Sequence, residues 1–252
     1  MPDPTPPTFQ GSRLGSPGSE ESTARAVRAM FGSVAPCYDF LNHFLSLGRD
    51  IAWRRATAMA LRRILEKPGS LAVDVCCGTG DLALAFARFS RGKVIGTDFC
   101  HPMLRMAREK AARDSRSIFF LEADTLALPF RDNSLDLISV AFGFRNLASY
   151  SRGLQEMRRV LKSGGVVAIL EFSRVHWPVI GPLFRFYFRR ILPRIGTLIS
   201  GVPGPYQYLP DSVLRFPDQE QLAAMIRDVG FSEVRYRNFF AGAAALHLGE
   251  NQ

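Results

Sequence analysis

The 252-residue chain has only four cysteines and four histidines, and neither set is spaced as a framework. Cys76 and Cys77 are adjacent, which disfavours a shared tetrahedral site, and Cys37 and Cys100 stand alone. Small thiols in a reducing compartment are the expectation. His43, His101, His176 and His247 show no ligand spacing, so no metal is expected. No apolar run reaches the roughly 18 residues needed to span a bilayer, and no basic-then-apolar leader opens the chain. A cytoplasmic protein is expected, with any membrane contact peripheral. Internal repeats and a second domain are also missing.

Large apolar side chains are scarce at the start. Residues 1–24 are rich in Pro, Ser, Gly and Thr and read as a disordered tail. The remainder, 25–252, is 228 residues in one expected domain, opening with an amino-terminal helical cap over 25–67. Acids are outnumbered. The net charge is +9; Asp3, Glu20 and Glu21 against Arg13 leave the tail at −2, so the rest carries +11. That balance points to an anionic partner or to solvation alone. Within 172–210 there is no acid at all, but Arg174, Arg185, Arg189, Arg190 and Arg194 are present. At helical spacing Phe184, Phe188 and Ile191 share a face flanked by arginines. The segment therefore reads either as a lid and interfacial helix on an anionic membrane surface or as an amphipathic cover on the sheet.

The most informative stretch is 71–84. An apolar run passes through Asp74, turns at Gly78-Thr79-Gly80 and resumes with helical periodicity. Strand, glycine loop and helix make a unit that cradles a nucleotide-like ligand, because glycines let backbone amides approach it closely. A second acid, Asp98, ends the next apolar run near the offset at which a carboxylate grips ribose hydroxyls. Gly78-x-Gly80-x-x-Ala83 is by itself a weak dinucleotide fingerprint. Asp74 argues against a dinucleotide, since it would face a pyrophosphate across a short distance. The carboxylate suits a cationic ligand such as S-adenosylmethionine.

Strands are expected around 72–74, 94–98, 118–122, 135–140 and 166–171, with helices over 82–89, 102–113 and 149–161 between them. Lys162-Ser163-Gly164-Gly165 reads as a helix stop. Asp218 opens a helix to Val229, and two strand-like runs follow near 233–238 and 243–248. The fold class is α/β: a Rossmann-like, doubly wound, mostly parallel sheet with helices on both faces and its ligand at the carboxyl ends of the strands. Asp124-Thr125 follows the third strand, where a carboxylate can accept a bond from an adenine amino group. Arg145 and Asn146 leave the fourth strand on the ligand side. From the residues alone, Arg145 either lines a substrate pocket or pairs with a nearby acid.

Several blocks together resemble the ubiquinone/menaquinone biosynthesis C-methyltransferases. They include residues 27–39, Trp53-Arg54, 74–81, Ala127-Leu128-Pro129-Phe130, Phe142-Gly143-Phe144-Arg145-Asn146 and Leu170-Glu171-Phe172-Ser173. Leu192-Pro193-Arg194-Ile195-Gly196, Tyr206-x-Tyr208-Leu209-Pro210 and 242–249 continue the match. The resemblance implies a class I S-adenosylmethionine-dependent methyltransferase that methylates a ring carbon of a polyprenylated quinol. By position it gives Thr79, Asp98, Asp124 and Thr125 cofactor contacts. Cys76 stands where the general loop has its first glycine, Ala141 where some members place a cofactor-contacting Ser, and Asp50 where a His is common. Arg145, with Asn146, is expected to stabilise the developing phenolate. Tyr38 is either a substrate or proton-relay contact or an aromatic anchor for the first helix. By resemblance to some members, the adjacent Cys76 and Cys77 lean toward a menaquinone-type acceptor (demethylmenaquinol to menaquinol), with a benzoquinol precursor of ubiquinone, or both, left open; oligomeric state is not legible. Rival readings are a methyltransferase for another lipid or for RNA, and a non-catalytic cofactor-binding protein. No appended module favours nucleic acid as a partner.

Overall fold

A computed structural model describes residues 20–34, 38–114, 117–175 and 205–252, together with 186, 190, 191 and 194. Five strands, β1 (Leu71–Val75), β2 (Lys93–Asp98), β3 (Phe119–Glu122), β4 (Leu135–Ala141) and β5 (Leu161–Phe172), run parallel. Two more, β6 (Phe231–Phe239) and β7 (Ala244–Asn251), form a hairpin whose β7 pairs antiparallel with β5. The sheet order is β3-β2-β1-β4-β5-β7-β6. The strand order reverses between β1 and β4, which opens a crevice at their carboxyl ends.

The α-helices that build the fold include α1 (Glu20–Val34), α2 (Tyr38–Leu45), α3 (Arg49–Ala60), α4 (Arg62–Leu65), α5 (Asp81–Ala87), α6 (His101–Arg113), α7 (Tyr150–Val160), α8 (Pro205–Arg215) and α9 (Gln219–Asp228). Central strands are apolar on both faces because helices cover both. Val73 and Val75 of β1 pack on one side with Leu154 and Met157 of α7 and Ile226 of α9. Ala72 faces the other side with Trp53 and Ala58 of α3 and Leu82 and Phe86 of α5. Asp218 caps α9 in a reciprocal box: its side chain accepts from the Gln221 amide at 3.0 Å, and the Gln221 side chain accepts from the Asp218 amide at 3.0 Å.

The structure departs from the sequence reading at three places. Residues 162–165 are an outward bulge inside β5, since Leu135 pairs with Leu161 and Leu137 already with Val166. The Asn251 side-chain amide donates to the Leu161 carbonyl at 2.9 Å and holds the bulge from β7. Helix α1 begins at Glu20, within the stretch expected as tail. Helix α8, with Pro210 inside it, had not been anticipated. Of the expected interfacial helix, Phe184, Arg185, Phe188 and Arg189 lie outside the described residues, while Arg190 and Ile191 are exposed. No described helix is long and apolar enough to cross a membrane.

Candidate active site

The chain leaves β1 through Cys76, whose φ of 49° is left-handed, and turns again at Gly78 (φ 55°) and Gly80 (φ 86°) before α5. The close approach of a second loop shapes this turn: a Cβ on Gly143 would lie 2.5 Å from the Cβ of Cys76. Asp98, at the end of β2, fastens the loop. Its Oδ2 accepts from the Gly78 amide at 2.8 Å and its Oδ1 from the Cys100 amide at 2.8 Å. The spacing between loop and second acid therefore has a direct structural cause.

Around this loop lies a cleft of about 890 Å³, open to solvent. It gathers Tyr38, Asp74, Gly78, Thr79, Asp98, Asp124, Thr125 and Asn146 from the sequence-predicted set; Gly80 and Arg145 are not on its wall. Gly80 serves as the turn into α5, with Ala107 and Phe120 packed where its side chain would be. Asp74 is buried and accepts from Ser139 Oγ at 2.8 Å, yet burial raises its pKa to about 7. Burial likewise raises that of Asp98 to about 6, against the opposing backbone hydrogen bonds. Two buried carboxylates with raised pKa values and no ion pair among the described residues are a poor fit to a pyrophosphate. They suit a ligand carrying positive charge and hydroxyl donors, as S-adenosylmethionine does. Asp124 Oδ1 accepts from the Leu126 amide at 2.9 Å, and Thr125 Oγ1 lies 3.3 Å from Cys76 Sγ. Burial drives the Cys76 and Cys77 thiols upward, which keeps them neutral.

A second chamber, about 670 Å³, adjoins the first. Phe31, Tyr38, Arg54 and Phe142 line both. Arg145 faces this chamber and is 6% exposed. Its Nη1 donates to Glu171 Oε1 at 2.9 Å and to the Phe142 carbonyl, and its backbone amide donates to Glu171 Oε2 at 3.2 Å. Both alternatives left open for Arg145 meet here, since it is ion-paired and lines a pocket. Among the described residues its Nε, which is buried, has no hydrogen-bond partner. Asn146 Oδ1 accepts from the Tyr208 hydroxyl at 3.0 Å. Burial raises the Tyr38 pKa, opposed by the Arg145 and Arg54 charges. Its ring also meets Phe31 edge-on at 5.9 Å, so it anchors α1 as well.

Ion pairs fasten the helical cap over the two spaces. Thr79 Oγ1 donates to Asp39 Oδ1 at 2.5 Å, and Lys110 Nζ donates to Asp39 Oδ2 at 2.8 Å, to Thr79 Oγ1 at 3.1 Å and to Asp81. Asp50, 3% exposed, accepts from Ser46 Oγ at 2.6 Å and from Arg54, and lies 2.8 Å from His43 Nδ1. The position where the resemblance expects a His therefore still has an imidazole beside it, supplied by residue 43. His43, Asp50 and Asp81 each bring one ligand atom within 4.8 Å of the others. Arg54 and Lys110 already occupy the two carboxylates, so this grouping is a charge network. Sequence reasoning gave no role to Asp39, Arg54 or Lys110; the partners of Asp39 and Lys110 lie tens of residues away in the chain, whereas the Arg54–Asp50 pair is an i,i+4 contact whose spacing could have shown it.

The model of the ubiE/COQ5 methyltransferase family matches residues 19–251. A demethylmenaquinone methyltransferase of Deinococcus radiodurans is 45% identical over 236 residues, covering 93% of this chain and 96% of the relative. One from Thermus thermophilus is 47% identical over 222 residues, covering 88% and 99%. A ubiquinone/menaquinone biosynthesis C-methyltransferase UbiE of a Geobacter species (strain M21) is 43% identical over 227 residues, covering 88% and 95%. Among solved structures, the [4+2]-cyclase SpnF superposes with a TM-score of 0.67 at 18% identity, over 94% of this chain and 99% of that one. A SAM-dependent methyltransferase from Aquifex aeolicus gives 0.55 at 21% identity, over 77% and 88%. These likenesses establish the fold. With the family match running nearly end to end, the chain belongs to the ubiE/COQ5 methyltransferase family.

Proposed function

We propose that this protein methylates a ring carbon of a polyprenylated quinol, with S-adenosylmethionine as donor and demethylmenaquinol, a naphthoquinol, as acceptor. The single observation that carries the reading is the buried Arg145 guanidinium on the wall of a chamber that adjoins the cofactor cleft. The names of the Deinococcus and Thermus relatives support the naphthoquinol.

When bound, S-adenosylmethionine supplies an electrophilic methyl group on a sulfonium. Asp98 would offer carboxylate oxygens to its ribose, Asp74 would offer negative charge to its cationic end, and Asp124 with Thr125 and the Gly78–Thr79 loop would complete the cradle. In the second chamber Arg145 would stabilise a phenolate on the acceptor, because a guanidinium stays cationic and carries several donors. The ring carbon beside that oxygen would then be the nucleophile toward the sulfonium methyl, with S-adenosylhomocysteine as the leaving group and one proton passing to solvent as the ring regains aromaticity. Tyr208 fixes the amide of Asn146 and leaves its nitrogen as a donor toward the acceptor. The phenol of Tyr38, kept protonated by burial, serves as a donor or relay where the two spaces meet. Phe31 and Phe142, which line both spaces, limit water at the junction. The acid-free segment over 172–210 fits a lid that meets an anionic membrane surface.

The test is methyl transfer from labelled S-adenosylmethionine to chemically reduced demethylmenaquinol, with the benzoquinol counterpart alongside, in detergent. A ring-methylated naphthoquinol is the expected product. Preference for the benzoquinol would change the acceptor, and no transfer to either would overturn the reading.

A further inference from the structure

The turn joining α2 to α3 carries an apolar surface that the site does not use. Leu47, at its apex, is 81% exposed. Its φ is 54° and that of Gly48 is 71°, so a large apolar residue holds a left-handed conformation that Gly or Asn would adopt with less strain. Phe40 and Phe44 stack with centroids 5.8 Å apart and are 60% and 48% exposed, and Ile51 is 53% exposed. A second strained turn lies against this one. Phe240, in the β6–β7 connection, has a φ of 45°, is 45% exposed and sits under the Arg49 guanidinium at 4.0 Å.

We infer that this corner is the surface by which the protein rests on an anionic lipid bilayer. The inference depends on the quinol reading, which requires an acceptor drawn from lipid. Charge argues for that occupant. From Phe40 to Arg63 the sole acid is Asp50, buried and ion-paired, while Arg49, Arg55 and Arg63 are exposed. Exposed apolar side chains interspersed with arginine, without acids, match the boundary between headgroups and acyl chains. Position argues for it as well. Asn42, Ser46 and Asp50, from the same helices and turn, line the second chamber. One face of the helical corner thus bounds the acceptor space, and the other presents the apolar surface through which an isoprenoid tail would remain in lipid. A second copy of the chain fits less well, since each copy brings a net charge of +9 and the same arginine rim.

Flotation of the full chain with vesicles of phosphatidylglycerol and phosphatidylcholine, against pure phosphatidylcholine, tests the surface. The native protein is expected to bind the anionic vesicles at least about tenfold more tightly at low salt, with the difference shrinking as salt rises. Leu47→Asp should weaken that binding by about tenfold or more. Leu47→Gly removes the side chain while relieving the backbone, so it should also weaken binding without lowering the melting temperature. Phe119→Asp, on the opposite sheet edge, should bind as the native chain does. Methylation of a tail-less quinol in solution should be the same for all four proteins. Undiminished vesicle binding by both Leu47 variants, or none by the native chain, would overturn the surface. So would a native dimer in light scattering that Leu47→Asp splits, with vesicle binding unchanged. Failure to methylate the tail-less quinol would strike at the functional reading instead, whatever the vesicles show.

Discussion

The two adjoining spaces treat charge in opposite ways. In the cofactor cleft, Asp74 and Asp98 are buried and form no ion pair among the described residues, and burial pushes both pKa values up against the opposing charges of Arg54 and Arg28. In the second chamber every described carboxylate is committed: Glu171 holds Arg145, and Asp50 holds Arg54. The first space is short of positive charge that a ligand can bring. In the second, the charges described are already paired, and the buried donor left without a partner among the described residues is Arg145 Nε. Charge left uncompensated in the free protein favours binding of a cation, whereas charge already paired fixes geometry.

The sharpest way to break the contrast is to remove a paired charge. Glu171 is 1% exposed and accepts from the Arg145 guanidinium, the Arg145 amide and, at 2.8 Å, the Phe172 amide. Glu171→Gln keeps the shape, leaves a buried guanidinium uncompensated and turns an amide nitrogen toward donors. A loss of about 3–5 kcal/mol is expected from the urea midpoint. Asp74→Asn, which removes an unpaired charge, should cost the free protein little, so similar losses in both variants would erase the distinction.

Next in size is Arg145→Lys. Lysine retains the charge but has neither the second arm nor Nε, so its single ammonium cannot hold both Glu171 and the acceptor oxygen. Turnover is expected to fall about a hundredfold, with the dissociation constant of S-adenosylmethionine within about twofold of the native value. Equal losses in both would show that the two spaces are one functional unit rather than two.

The same contrast governs what could be read before the structure. Asp74, the glycine turn and Asp98 lie at the ends of neighbouring strands and within one βαβ unit, so local pattern and the topology of parallel sheets were enough to bring them together. The second chamber draws on α2, α3, the ends of β4 and β5, and α8, with partners as distant as Asn146 and Tyr208. No periodicity encodes that meeting. Glu171 stood in a recognisable block, yet its partnership with Arg145 depends on Leu170 pairing with Ala141 across the sheet. Helix α8 was missed because Pro210 interrupts its pattern. Thr79 was expected to contact the cofactor; its hydroxyl also ties the loop to Asp39 of the cap, a bond that short-range spacing does not predict.

The smallest expected effect is a pH dependence that separates stability from binding. The folded-state pKa values of Asp74, about 7, and Asp98, about 6, lie above the ordinary carboxylate value, so the free protein binds these protons more tightly than the unfolded chain does. Their contribution to stability is therefore greatest below the ordinary carboxylate range, shrinks as pH rises, and levels off above about pH 7. Binding of a cationic ligand requires the ionised forms and runs the other way. Calorimetric titration with S-adenosylmethionine should show affinity rising between about pH 5 and 7, by up to about tenfold per unit where one carboxylate must release its proton, then flattening. In Asp98→Asn the slope near pH 6 should vanish while any slope near pH 7 stays. An affinity independent of pH across this range would mean that both carboxylates are already ionised, and the cleft would then hold its charge as firmly as the chamber does.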